Sequence, residues 1–201
     1  MISAENNDPY KSRSFIGHSL WACPTGATKK SYTSIISGAS SELETFEFNP
    51  HITLVAAIMT STEDVIKRTK ELAEELAPYS FEFDEISERD AYFQCVYAKM
   101  KRTKEVLDAN ALAKEFFPER KTDPEYMPHI SLVYGNFELA EKQNKIIPYL
   151  KKQMENDVPN TKSITVDSIE VWSTKGNVED WFLVETVPLK GGNNPGIDDK
   201  I

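Results

Sequence analysis

Two short segments of this chain read almost alike: Pro50-His51-Ile52-Thr53-Leu54-Val55 and Pro128-His129-Ile130-Ser131-Leu132-Val133. Each is apolar and β-branched around one imidazole and one hydroxyl, so each reads as a strand. Side chains alternate along a strand, which puts His51 and Thr53 on one face and Ile52 and Leu54 on the other. His129 and Ser131 obey the same rule, with Ile130 and Leu132 turned away. A fold carrying both strands must bury two apolar faces. If the strands lie side by side or face to face, it also lines one cleft with four polar side chains.

One histidine on a strand is an ordinary core or surface residue. The pair is harder to dismiss. The chain has three histidines, and two carry the His-apolar-[Ser/Thr]-apolar-Val pattern. Chance would produce that on the order of once in several hundred such compositions. The prolines at 50 and 128 add a further match.

The remaining sequence supplies the setting. Residues 1–16 are polar and are expected to be loose, with no apolar core of a signal peptide. Residues 18–23 read as a strand stopped by Pro24. Residues 28–43 have weak helical character, interrupted by Gly38. Ser61-Thr-Glu-Asp64 opens an amphipathic helix that Pro78 ends. Residues 81–86 and 91–100 read as a strand pair, and 103–117 as a second amphipathic helix before Pro118. Residues 139–154 are helical, bent or broken near Pro148. Residues 163–172 and 181–189 read as a final hairpin, and 191–201 as a Gly/Asn/Asp-rich loose tail. The two halves resemble each other, each with one His-Ile-[Ser/Thr]-Leu-Val strand. The expectation is one α+β domain over 17–190, built as two pseudo-symmetric lobes of antiparallel sheet with outer helices around a central cleft.

Two imidazoles titrating near neutrality can serve as base and acid in one turnover. One must be neutral to take a proton from water; the other must be protonated to supply a leaving oxygen. The Thr53 and Ser131 hydroxyls are suited to non-bridging phosphoryl oxygens as charge builds there. In-line displacement at phosphorus needs acid and base on opposite sides, which two opposed strands supply. The residues do not say which histidine plays which part. Two histidines with no third ligand at metal spacing make a poor zinc set, and His18 is not closely spaced with either, so no metal or cofactor is expected.

Charge narrows the substrate. The net charge is −9 over 201 residues. Proteins that grip long nucleic acid show a basic stripe. Here the basic clusters, Lys99 to Lys104 and Lys151-Lys152, are short. A small phosphate-bearing molecule is expected, with no long nucleic acid and no membrane span, since no apolar run nears the length needed. A cytoplasmic monomer is expected, with association to an internal membrane compartment left open. Cys23 and Cys95 sit in apolar stretches and read as reduced, buried thiols.

These motifs resemble the 2H phosphoesterases, named for two His-x-[Ser/Thr] repeats, and more closely the cyclic nucleotide phosphodiesterases of plants and fungi. The resemblance runs over about residues 18–188. It includes Ser19-Leu-Trp-Ala-Cys-Pro24, Phe48-Asn-Pro-His-Ile-Thr53, Tyr92-Phe-Gln-Cys95 and Pro124-Glu-Tyr-Met-Pro-His-Ile-Ser-Leu-Val-Tyr134, and more weakly Val171-Trp-Ser-Thr174. It implies a bilobal fold with a water-filled cleft. It also implies hydrolysis of nucleoside 2′,3′-cyclic phosphates to 2′-phosphates, or of ADP-ribose 1″,2″-cyclic phosphate to the 1″-phosphate, both by-products of tRNA splicing. Carried onto this chain, it makes His51, Thr53, His129 and Ser131 the catalytic set, with His129 as base and His51 as acid. Tyr134 matches a tyrosine three residues beyond the second motif's serine, although strand parity points it away from Ser131. Trp21 is a candidate wall for base or ribose, and core packing is its competing reading. The plant relatives carry further cysteines that pair, which this chain lacks.

Three other readings fit parts of the sequence. A 2′,5′-phosphodiesterase or an RNA-end-trimming enzyme would use the same residues on a different ester. A non-catalytic phosphate-binding module would not need both His and hydroxyl pairs. A thiol enzyme built on Cys95 lacks a basic neighbour or helix start to activate it.

Overall fold

The computed structural model describes residues 14–156 and 158–190. Ten strands and a set of helices follow one another in mixed order, and the strands pair antiparallel throughout. β1 is Ser14–Phe15, β2 His18–Ala22, β3 Ile52–Ile58, β4 Tyr79–Glu88 and β5 Val96–Met100. β6 is His129–Val133, β7 Ser163–Val166, β8 Ser168–Ser173, β9 Gly176–Asn177 and β10 Phe182–Pro188. Eight of them form one sheet in the order β10-β8-β2-β3-β6-β5-β4-β7.

The sheet divides into two sets of four that meet at β3 and β6, the two motif strands. They join through the pair Ile52 and Ile130. Continued in the antiparallel sense, that register sets His51 level with Ser131 and Thr53 level with His129.

The helices extend the symmetry. α1 (Gly26–Leu43) links β2 to β3 yet packs on β6; α3 (Lys104–Phe116) links β5 to β6 yet packs on β3. Each motif strand is therefore backed by the helix that belongs to the other half. α2 (Thr62–Glu75) packs on β8 and β10. Its cap is the predicted one, with Ser61 Oγ accepting from the Asp64 amide at 3.3 Å. Thr103 caps α3 in the same way. Ile52, Leu54, Ile130 and Leu132, the residues turned away by strand parity, are all buried in the main core.

Four expectations change. Ser14 and Phe15, placed in the loose leading segment, form β1 and pair with β9; residues 1–13 and the tail 191–201 lie outside the described residues. The single strand expected over 163–172 is broken at Asp167 into β7, at one edge of the sheet, and β8, one strand in from the other edge. β8 then pairs with β10 as the anticipated hairpin. The strand expected from Ala91 begins at Val96, because Tyr92–Gln94 turns as a 3-10 helix. Finally, the bend or break expected near Pro148 takes the form of a π turn that precedes the proline. α4 (Leu139–Glu141) runs through a π turn over Lys142–Ile146 into α5 (Ile147–Glu155). Proline lacks an amide proton and crowds the carbonyl four residues back; widening that turn removes the clash.

Candidate active site

The sheet opens on a cavity of about 510 Å³ where its halves meet. His51, Thr53, His129, Ser131, Tyr134 and Trp21 all line it. Sequence parity thus brings both His-x-[Ser/Thr] pairs to one space.

The two histidines are held by the same device. His51 Nδ1–H donates to the Asn49 carbonyl at 2.6 Å, and His129 Nδ1–H to the Met127 carbonyl at 2.9 Å. In each case the acceptor precedes a proline, Pro50 or Pro128. Proline fixes its own φ and holds the preceding residue extended, which brings that carbonyl over the next ring. With Nδ1 occupied, each Nε2 is left to meet the cavity. This is what the repeated proline does in the motif.

Burial lowers both imidazole pKa values. His51 is brought down to about 4 by burial, against the Asn49 carbonyl, which raises it, and with a smaller lowering from His129. His129 is lowered by burial, with its Met127 carbonyl opposing and the Arg89 charge adding to the fall. Both shifts favour the neutral ring in the free protein.

The surroundings of the two rings differ. Trp21 stacks on His51 with centroids 3.5 Å apart and planes at 9°. Trp172 stacks on Trp21 at 4.5 Å. Trp21 lies on β2, between β8 and β3 in the sheet, so its neighbours come from opposite sides and the indole is sandwiched. Trp21, expected either as a stacking wall for a base or ribose or as core packing, lines the cavity and is buried among these rings. His129 instead meets Tyr97 edge-on at 5.0 Å.

Ser131 Oγ donates to the Phe93 carbonyl at 2.8 Å and also interacts with the Tyr134 hydroxyl. Tyr134 lies just past the end of β6, where strand alternation no longer applies, and so reaches the site that parity denied it. Its ring stacks on Phe48 at 3.7 Å. Thr53 is half-buried, and its carbonyl accepts from Tyr126 Oη at 3.0 Å.

Sequence reasoning missed several cavity residues. Arg89 and Gln94, joined at 2.9 Å, come from the loop between β4 and β5. Phe15 and Trp181 come from the ends of the domain and pack with Phe93. The Tyr92-Phe-Gln-Cys95 segment is the available signal for Phe93 and Gln94; nothing local marks Phe15.

His18 lies elsewhere, hydrogen-bonded to Thr62 at 3.1 Å. Among the described residues, no group of three or more His, Cys, Asp or Glu side chains is arranged to hold a metal ion. No described helix is long and apolar enough to cross a membrane. Both cysteines are free thiols. Cys95 is buried, as expected, and burial pushes its pKa up to about 11, so it is no ready nucleophile. Cys23 is only half-buried and donates to Glu170 at 3.2 Å.

A family model for cyclic phosphodiesterase-like proteins matches residues 16–189. The chain belongs to the cyclic phosphodiesterase-like family. It is therefore a phosphodiesterase, and a curated relative carries the same activity in its name. That protein is the cyclic phosphodiesterase of Arabidopsis thaliana, 29% identical over 127 residues, or 63% of this chain and 70% of the relative. Solved structures share the fold at far lower identity. Escherichia coli LigT in its apo form aligns with a TM-score of 0.55 and 11% identity, over 87% of this chain and 98% of LigT. The Thermus thermophilus protein TT0787 aligns with the same score, identity and coverage. LigT complexed with 3′-AMP aligns with a TM-score of 0.56 and 11% identity, over 88% of this chain and 98% of that one. These place this family member in the 2H phosphoesterase fold.

Proposed function

We propose that this cyclic phosphodiesterase-like protein hydrolyses nucleoside 2′,3′-cyclic phosphates to 2′-phosphates, ADP-ribose 1″,2″-cyclic phosphate to the 1″-phosphate, or both, without a metal. Its substrates would then be the small cyclic esters left by tRNA splicing. The observation that carries the reading is the matched pair of histidines, each with Nδ1 tied to a backbone carbonyl and Nε2 left for one cavity. Two lines of support bear on substrate size. The net charge of −9 disfavours a long nucleic acid, and LigT has been solved with 3′-AMP and with phosphate.

For a 2′,3′-cyclic nucleotide, His129 Nε2 takes a proton from water as the water oxygen bonds to phosphorus. The bond from phosphorus to the 3′ oxygen breaks, and His51 gives that oxygen its proton. The phosphate stays on the 2′ oxygen. Thr53, Ser131 and Tyr134 hold the non-bridging oxygens as their charge grows.

His129 as base and His51 as acid is the assignment the family resemblance implies, and contacts around each ring support it. The Arg89 cation opposes protonation of His129, which suits a base. The short bond to the Asn49 carbonyl and the Trp21 face both favour a cation at His51, which suits an acid. Burial opposes that cation in the free protein, and the bound phosphate's negative charge offsets the penalty.

The test is a substrate panel followed by phosphorus NMR: 2′,3′-cyclic nucleotides, ADP-ribose 1″,2″-cyclic phosphate and 2′,5′-linked oligonucleotides. Opening of a cyclic ester with the phosphate kept on the 2′ or 1″ oxygen supports the reading. Cleavage of the 2′,5′-linked oligonucleotides alone would replace it.

A further inference from the structure

Lys142 is a lysine where lysines are rarely found. It is 3% exposed and stands at the first position of the π turn. An ammonium taken out of water is costly unless it is paired and hydrogen-bonded, so such a residue is kept by its partners. Lys142 has two. Its Nζ lies 3.3 Å from a Glu88 carboxylate oxygen and donates to the Arg89 carbonyl at 2.9 Å.

Those partners stand where β4 ends and the loop to β5 begins, and the loop is closed on itself. The Arg89 amide donates to the Cys95 carbonyl at 3.2 Å, and the Gln94 amide to the Ala91 carbonyl at 3.1 Å. Its other side faces the cavity. Arg89, Phe93 and Gln94 line it, the Arg89 guanidinium donates to Gln94 Oε1, and the Phe93 carbonyl accepts a hydrogen bond from the Ser131 hydroxyl. Lys142 is not among the lining residues, yet it grips the backbone of one that is. The π turn adds a residue to the helix at this point, and such insertions often mark functional sites. A well-packed apolar side chain would commonly serve folding as well as a buried ion pair. The pair therefore calls for a reason beyond stability.

We propose that Lys142 is a positioning residue for substrate binding: by clamping Glu88 and the Arg89 carbonyl it aims the Arg89 guanidinium at the phosphate held between His51 and His129. Arg89 makes the contact, and Lys142 acts through it. The inference rests on the cyclic-phosphate reading of the site.

Steady-state kinetics on a 2′,3′-cyclic nucleotide, with the full chain, separates this from a purely structural role. Arg89→Gln is expected to raise KM about tenfold with kcat within about twofold, the loss of one charge-assisted contact made equally before and during reaction. Lys142→Met is expected to raise KM by a similar factor. The double variant should be no worse than Arg89→Gln alone, because the two residues share one contact. Glu88→Gln provides a milder variant if Lys142→Met does not fold, with an expected KM rise of roughly threefold. The proposal is overturned if Lys142→Met and Glu88→Gln leave KM unchanged, or if the Lys142 and Arg89 losses simply multiply. A wild-type protein that opens no cyclic phosphate would refute the underlying reading instead. Activity with no coupling between Lys142 and Arg89 would refute this inference alone.

Discussion

Trp21 lies flat on His51, ring centroids 3.5 Å apart and planes within 9°. The imidazole is held on its edge by the Asn49 carbonyl and on its face by the indole, so it has little freedom to turn. The indole is itself backed by Trp172. Replacing Trp21 with Leu should keep apolar volume but release the ring. The expected loss is roughly 10- to 100-fold in kcat, the scale of a misplaced catalytic group. Trp21→Phe, which retains a stacking face, should stay within about fivefold of wild type. Kinetics paired with thermal melts would check this; equal activity in the Leu and Phe variants would mean the stack does not position His51.

The pH dependence follows from the two depressed imidazoles. Catalysis needs one ring protonated and one neutral. In the free enzyme His51 titrates at about 4 and His129 below the usual imidazole value, burial being the main cause for both. Above the higher of these both rings are neutral, and the free enzyme has no imidazolium to serve as acid. The kcat/KM maximum should therefore lie on the acid side of the ordinary imidazole pKa. Bound phosphate is negative and favours an imidazolium, so the kcat profile should be displaced to higher pH. Rate profiles at constant ionic strength test both shifts, and a kcat/KM optimum well above neutrality would contradict them.

The thiols should be slow to react. Cys95 is 1% exposed and burial raises its pKa to about 11. Cys23 is also raised, by burial first and by the adjacent Glu170 charge second. At pH 8, native protein should take up a thiol reagent such as iodoacetamide far more slowly than the same chain in denaturant. Mass spectrometry of the time course provides the measurement. Rapid native labelling of Cys95, with loss of activity, would reopen a role for that thiol.

Gly17 lies just before β2, against the end of β3. Its φ is +72°, and a Cβ there would come within 2.4 Å of the Ile58 carbonyl oxygen. Gly17→Ala combines left-handed strain with a backbone clash and should cost about 2 kcal/mol or more. Urea unfolding would show the loss as a lowered midpoint; an unchanged midpoint would mean the backbone between β1 and β2 relaxes freely.

The chemistry-bearing strands are legible in the sequence because two local rules coincide there. Period-two alternation sets His51 with Thr53 and His129 with Ser131, and proline dictates the backbone just before each histidine. Helix starts at Ser61 and Thr103 are legible for a similar reason: the capping side chain is close in sequence to what it caps. What escapes the sequence depends on distant pairing. Whether Ser163–Val166 and Ser168–Ser173 belong together is decided by which end of the sheet each joins. Trp21 meets His51 only because β2 pairs with β3. Nothing in composition separates Lys142 from the exposed lysines that follow it; its burial comes from Glu88 and Arg89, over fifty residues earlier.

In the proposed mechanism the two histidines act as one pair, and that is where a single measurement bears hardest. Hydrolysis of a 2′,3′-cyclic nucleotide, followed by phosphorus NMR, should be compared for wild type, His51→Ala, His129→Ala and the double variant. Each single change should lower turnover by roughly 10²–10⁴-fold, the worth of one general acid or base. The double should be little worse than the more damaging single, because acid and base serve one step. The 2′-phosphate should appear as product with wild type. Near wild-type turnover in either single variant, with the product unchanged, would contradict a paired role for His51 and His129.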